Sequence, residues 1–400
     1  MRILFYFPTD IRSIGGAERY THSLAEYVAR QGYSVTLLSQ PCQVTNPLYF
    51  QSRPVIDFTN ASYSLNWLIL PRPAARTLSA IWPCYHYRPF RPLVRSIYIA
   101  LLRPCLISMV GRIQPDFICI IHSGLVYSAE TMAGIARHFR IPFGFIPLPH
   151  TAGEGYAGPR FRRLYRAADV LFALTQHEAD WLVQHGASKS HIHVIGAAPF
   201  SQPASIGTFT SSLRQQLGLD DGVPIVLFLG RKVPSKGYPA LLSAMARVWQ
   251  DHPSTRFVFI GPAGPTWADD FAEHRRDPRV LDLGEVDETT RLNALASCDI
   301  LCVPSIEESF GMIYVEAWQF GKPVIAANMP VTRELVEGCN GGLLVTPDAD
   351  HIAQAIIRLI ASPEMARQLG INGQNAVRSR FTWQHVVSRF ERALPIREMS

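Results

Sequence analysis

The sequence predicts an α/β protein of two domains with parallel sheets, and three observations predict it. A chain of 400 residues, 48% of them hydrophobic, exceeds the usual single core and suits two domains of roughly 200 residues each. Ile300 to Asn328 starts as an apolar run ending at Pro304 and Ser305, crosses an acidic loop, and gives a helical pattern stopped by Gly321 and Pro323 before a second apolar run. That is strand, loop, helix, strand. Residues 224–261 repeat the arrangement as PIVLFLG, the loop RKVPSKG, the helix PALLSAMARVWQDH and the strand TRFVFIG. A right-handed crossover is the default for such parallel units.

Charge and cysteine usage narrow the class. The first half, residues 1–200, carries 19 Lys and Arg against 10 Asp and Glu, whereas residues 201–400 carry 19 against 22, so the net +6 is concentrated in the first half. The seven cysteines are scattered without a CxxC pair or a Cys/His cluster at zinc spacing, and they read as reduced core thiols of a cytoplasmic protein. Met1 and Arg2 run directly into a short strand, and no uninterrupted apolar run approaches the roughly 20 residues of a membrane span. Secretion and membrane insertion are therefore not expected.

In the first domain, ILFYFP at 3–8 reads as a buried strand, followed by the loop TDIRSIGGAE and a helix from Arg19 to Gln31. Gly15 and Gly16 let a ligand approach the backbone closely. The loop does not meet the G-x-G-x-x-G dinucleotide fingerprint. From Pro41 to Ile113 the pattern is irregular, with no acidic residue between Asp57 and Asp116. Seven arginines there, at 72, 76, 88, 91, 95, 103 and 112, interleave with Trp67, Trp82, Tyr85, Tyr87, Phe90 and Tyr98. Such an insertion, about 45–112, suits an anionic membrane surface through residues 60–112; solvated arginines are the plainer reading. Nucleic acid would accept the same charge but is not the partner expected. Strands are expected at PDFICIIH (115–122), IPFGFI, DVLFAL and HIHVIG, with His122 and His150 at strand ends and a Pro/Ser-rich linker from Pro199 to Ser212.

In the second domain, the loop after PIVLFLG places Arg231 immediately after the strand and Lys236 five residues later. Two cations over one helix start can neutralise a diphosphate, although this is no G-x4-G-K-[ST] phosphate loop. The acidic loop holds Glu307, Glu308, Ser309 and Gly311, and Glu316 follows on the next helix. In a parallel unit this loop lies at the carboxyl end of a strand, where open α/β sheets bind ligands. Backbone N–H groups from Ser309 to Met312 open that helix and favour phosphate. Carboxylates on either side accept paired hydroxyls. A ligand with phosphate in the middle and hydroxyls at both ends, a nucleotide sugar, fits the set. Taken singly, each of these acids reads equally as a solvated surface charge.

These motifs resemble those of the retaining glycosyltransferases of family 4. Glu308 to Glu316 reads E-S-F-G-x-x-x-x-E, followed by the GKPVIA strand; Gly230 to Gly237 resembles G-R-x-x-x-x-K-G; and Gly15 to Glu18 resembles the GGAE loop. The resemblance implies a GT-B fold: two Rossmann-like domains, with parallel sheets facing a central cleft, at about 1–200 and 201–380, and a terminal helix at 381–400 crossing back to the first. It implies Arg231, Lys236, Glu308 and His150 as the catalytic set. Arg231 and Lys236 would grip the donor diphosphate, Glu308 the sugar hydroxyls and Glu316 the ribose. Gly15, Gly16 and His150 would complete the sugar pocket, and the main chain at Val286 would hold the base. Gly230, Ser309, Phe310, Gly311 and Met312 would line the donor. No metal or other cofactor is expected, on the reading that no D-x-D motif is present to bind one. The implied reaction moves a hexose from a nucleotide-diphosphate sugar, with retention, to a glycan or lipid-linked acceptor in cell-surface polysaccharide synthesis, in the cytoplasm or peripherally on the inner face of the plasma membrane. A GT-B epimerase, a phosphorylase and a non-catalytic sugar-nucleotide-binding subunit remain alternatives.

Overall fold

The structure, a computed structural model, describes residues 1–12, 15–41, 58–121, 126–151, 153–201 and 212–395. His122, most of the expected linker and the start of the expected insertion lie outside these residues. The chain divides into two compact units, one of Met1–Pro149, Gly153–Gly196 and the segment from Trp383 on, the other of His150–Ala152 and Ala197–Thr382. The divisions fall at 196/197 and 382/383, beside the expected 200/201 and 380/381.

Among the described residues the first unit holds seven strands: β1 (Arg2–Phe7), β2 (Ser34–Ser39), β3 (Ser64–Trp67), β4 (Phe117–Ile121), β5 (Phe143–Ile146), β6 (Val170–Ala173) and β7 (Ile192–Val194). They pair in parallel in the order β3-β2-β1-β4-β5-β6-β7. The second unit holds β8 (Ile225–Leu229), β9 (Arg256–Ile260), β10 (Val280–Gly284), β11 (Ile300–Val303), β12 (Val324–Ala327) and β13 (Gly342–Val345), in the order β10-β9-β8-β11-β12-β13. This sheet is parallel as well. Sheets covered on both faces need continuous apolar strands rather than alternating ones. FICII in β4 and IVLFL in β8 are buried at every position. Both units are therefore Rossmann-like, each with a switch point where the strand order reverses.

Side-chain caps set several helix starts. Thr175 accepts from the Glu178 amide before the helix Gln176–Gln184, and Asp287 accepts from the Thr290 amide before Glu288–Ser297. The first helix, Gly16–Arg30, begins three residues earlier than its sequence pattern suggests.

The stretch expected to be irregular, 41–113, is instead largely regular where it is described. It contains β3, the helix Arg72–Ile81 and the helix Arg91–Ile113. Pro73 and Pro92 stand in the first helical turns, where proline's missing N–H costs nothing. Val94, Tyr98, Leu102, Leu106 and Val110 recur every fourth residue and form the buried stripe of the longer helix. With its preceding turn, Arg88–Ile113 is long and apolar enough to cross a membrane by length and composition, which the search for an unbroken apolar run missed because arginines punctuate it. Its buried stripe packs into the first unit's core.

The last helix, Trp383–Ala393, closes the first unit. Phe390 stacks on Phe172 of β6 and Phe5 of β1, with centroids 4.7 and 5.8 Å away, and Trp383 stacks on Tyr27 at 5.4 Å. Both side chains are fully buried. Replacing Phe390 with Ala should destabilise the first unit by about 3–5 kcal/mol, the usual cost of emptying a buried aromatic site. Urea unfolding measured with a first-unit probe checks this; an unchanged midpoint would mean that the helix is not docked there.

Candidate functional site

In the second unit β8 and β11 lie side by side at the switch point, so the loops that follow them meet. Gly230 ends β8, Arg231 follows it with an exposed side chain, and Lys236 sits half-buried one turn later. Backbone bonds join the two loops: Ile306 N–H donates to Ser235 O at 2.9 Å, and Ser305 Oγ donates to Ser235 O at 3.2 Å and to Glu307 O at 3.0 Å. Gly237 makes this approach possible. Its φ is +81°, and a Cβ there would stand 2.2 Å from Pro304 O.

Across this seam Lys236 Nζ donates to Glu308 Oε1 at 2.6 Å and to Glu307 O at 3.1 Å. Two residues expected to touch different parts of one ligand are thus paired with each other. An ammonium has three donors, and these contacts account for two. His150 Nδ1 lies 3.9 Å from Glu307 Oε2. Burial holds the His150 imidazole below its ordinary range; Lys236 and Arg231 push the same way, against the pull of Glu308 and Glu307. It is therefore neutral at pH 7 and able to accept as well as donate a hydrogen bond. Lys236, Glu308, Glu307 and His150 form one cluster, with Arg231 close enough to His150 to act on its charge.

Beyond it Ser309 is half-buried, and Phe310 is buried against Phe381 with ring centroids 6.0 Å apart. Gly311 caps the helix Met312–Gln319 with φ +93°, where a Cβ would stand 2.6 Å from the Tyr314 ring. Tyr314 Oη donates to Val303 O at 2.7 Å and holds the helix start against the end of β11. Tyr314 N–H donates to Gly311 O at 3.0 Å, and the first-turn amides lie at the positive end of the helix dipole. Glu316, a turn further, is 4% exposed and is held by Arg291 of the helix Glu288–Ser297. Val286 lies half-buried between β10 and that helix.

Gly15 and Gly16 belong to the first unit, where Gly15 caps and Gly16 begins the helix Gly16–Arg30 at the carboxyl end of β1. His122, considered as a second strand-end histidine, lies outside the described residues.

Sequence reading missed two features. Lys232, 1% exposed, donates to Asp282 Oδ1 at 2.5 Å, and Trp267 Nε1 donates to Asp282 Oδ2 at 2.8 Å. Gly284 N–H also donates to Asp282 Oδ1, at 3.0 Å, so one carboxylate ties the Arg231 loop to the segment leading to Val286. The signal was an aspartate inside the apolar strand VLDLG, since a buried lysine needs a partner. Arg291 is the other, and its partner is 25 residues away, beyond any local pattern. A D-x-D triplet also exists, Asp348 to Asp350, contrary to the expectation. Asp348 is occupied as a helix cap, accepting from the His351 amide at 2.9 Å. Among the described residues no three His, Cys, Asp or Glu side chains gather as a metal-binding group.

Comparison with known proteins places this geometry. Residues 14–197 match the family described as Glycosyltransferase Family 4, and residues 209–376 match Glycosyl transferases group 1. A D-inositol 3-phosphate glycosyltransferase of Segniliparus rotundus is 28% identical over 393 residues, covering 92% of this chain and 82% of that protein. Among solved structures, sucrose-phosphate synthase from Thermosynechococcus elongatus superposes with a TM-score of 0.74 at 21% identity, covering 98% of this chain and 97% of that one. Anabaena HepE in complex with UDP-glucose gives 0.69 at 21% identity, covering 98% of each chain. The folds agree, both halves of the chain are matched, and the chain belongs to glycosyltransferase family 4, as a glycosyltransferase of the GT-B type.

Proposed function

We propose that this glycosyltransferase moves a hexose from a nucleoside-diphosphate sugar, with retention and without a metal, to a lipid-linked or polysaccharide acceptor in cell-surface glycan synthesis. The observation that carries the reading is the pairing of Glu308 with Lys236, on the loop that also bears Arg231, close in sequence to the helix start at Gly311. The departing diphosphate gains negative charge as the glycosidic bond breaks, and preorganised cations and amides stabilise it. Arg231, the remaining donor of Lys236 and the Met312 amide supply that charge without a metal. Glu308, oriented by Lys236, accepts from the sugar hydroxyls, and neutral His150 hydrogen-bonds the same sugar. The HepE complex makes UDP-glucose the first donor to test.

Retention by double displacement needs a carboxylate beside the anomeric carbon on the opposite face. No residue is assigned that part, and Glu308 is drawn onto Lys236, which favours a front-side route through an ion pair in which the leaving phosphate takes the acceptor's proton. A covalent adduct trapped on Glu308 would contradict that route.

The acceptor side of the proposal includes a peripheral membrane contact at the inner face of the plasma membrane. Ile69, Tyr87, Phe90 and Leu93 are 60%, 65%, 51% and 58% exposed, among seven arginines and no acid from 58 to 115. Apolar side chains ringed by cations suit anionic headgroups over an acyl boundary. Part of the aromatic stretch is spent internally: Trp82 stacks on Tyr85 at 5.2 Å, and Tyr98 is buried.

Arg231→Ala and Lys236→Ala should each lower kcat/KM for donor turnover by roughly 10²–10³, the cost of one oxyanion donor. Unchanged values would remove these residues from the mechanism. Vesicles containing phosphatidylglycerol should bind the protein at low salt and release it as salt rises, and Phe90→Asp with Leu93→Asp should abolish that binding while donor turnover persists. Equal partition of wild type and variant would refute the contact.

A further inference from the structure

Glu316 is a carboxylate almost wholly out of water, and an ion so placed is costly unless it is paired and hydrogen-bonded. Its partner is Arg291: Nη1 donates to Oε2 at 2.8 Å and Nη2 to Oε1 at 3.1 Å, a fork that fixes both oxygens in one plane. Arg291 also donates to Glu288 through Nε at 2.8 Å and Nη2 at 2.7 Å. Burial alone would depress the guanidinium, but Glu316 and Glu288 outweigh it and hold it charged. Glu288 in turn accepts from Ser201 Oγ at 2.7 Å, and Ser201 O accepts from Gln319 Nε2 at 2.8 Å. Gln319 lies on the same helix as Glu316, so the contacts close a ring joining Met312–Gln319 to Glu288–Ser297.

The fork fixes the plane of the Glu316 carboxylate, and with it the direction from which a hydroxyl can donate to it. We infer that Arg291 is a positioning residue for nucleoside recognition: its fork holds the Glu316 carboxylate oriented so that the site selects the ribose hydroxyls of the donor and discriminates against deoxyribose. The inference rests on the reading of this site as a nucleotide-sugar site. The fork matters as well as the charge, because a lysine would supply one point contact where the guanidinium supplies two parallel ones.

The test compares, by calorimetry, the best-bound of UDP, GDP and ADP with its 2′-deoxy and 3′-deoxy counterparts, and includes inorganic pyrophosphate. A hydrogen bond to a charged group is worth about 1.5–3 kcal/mol, so wild type should prefer the ribonucleotide over at least one deoxy form by roughly 10- to 100-fold. In Arg291→Lys that ratio should fall to within about threefold while pyrophosphate affinity stays unchanged. Arg291→Met, which leaves Glu316 buried without its cation, should lose the ratio as well where it folds. Glu288→Gln, which spares the Arg291 to Glu316 fork, should keep it. A wild-type ratio retained in Arg291→Lys overturns the inference and leaves the donor reading standing. Pyrophosphate affinity falling in parallel would make Arg291 a general structural support and overturn it too. Failure of all three ribonucleotides to bind wild type would overturn the donor reading itself.

Discussion

The parallel pairing of β8 with β11 is the constraint on which the candidate site depends. These strands are separated in sequence by β9, β10 and their helices, and they become neighbours only because the chain winds outward in both directions from β8. Loops at the carboxyl ends of two such strands have no strand between them and must share one space. Arg231 and Lys236 arrive from one loop, Glu307 and Glu308 from the other, and the helix start at Gly311 follows. The close approach is permitted by Gly237 and fastened by Ser235, Ser305 and Ile306, mostly through main-chain groups. The charged side chains thus stand on a frame that their own chemistry does not have to maintain.

Two groups of charged side chains stand on that frame: Arg231 and Lys236 on the loop after β8, and Glu316, Arg291 and Glu288 on two of the helices. On the proposed reading the anionic middle of the donor would lie toward the first and its ribose toward the second. The Asp282 carboxylate accepts both from Lys232 in the Arg231 loop and from the Gly284 amide in the main chain leading to Val286.

Much of this was legible in the sequence because the relevant signals are local. Apolar runs such as ILFYF and IVLFL announce buried parallel strands, Thr175 and Asp287 announce helix starts, and the spacing of Glu308 to Glu316 and of Arg231 to Lys236 falls within single βα units. Illegible parts depend on distance or context. No local pattern links Arg291 to Glu316 or Lys232 to Asp282, and no pattern shows that Lys236 and Glu308 touch. The helices of residues 72–113 are hard to read because a proline suits a first helical turn as well as a break, and Pro73 and Pro92 take the first role only once the helix is placed. The arginines that hid the long helix from a search for unbroken apolar runs leave its four-residue stripe intact. Asp348 and Asp350 show the converse hazard, where a metal-like spelling includes a helix cap.

The most direct measurement is thermal stabilisation and diphosphate release across UDP-, GDP-, ADP- and dTDP-sugars, with and without EDTA. The account predicts stabilisation by the sugars of one nucleotide, with slow release of its diphosphate that EDTA leaves unchanged. Absence of stabilisation across the panel would contradict the donor site, and release abolished by EDTA would contradict the metal-free mechanism built on Arg231 and Lys236.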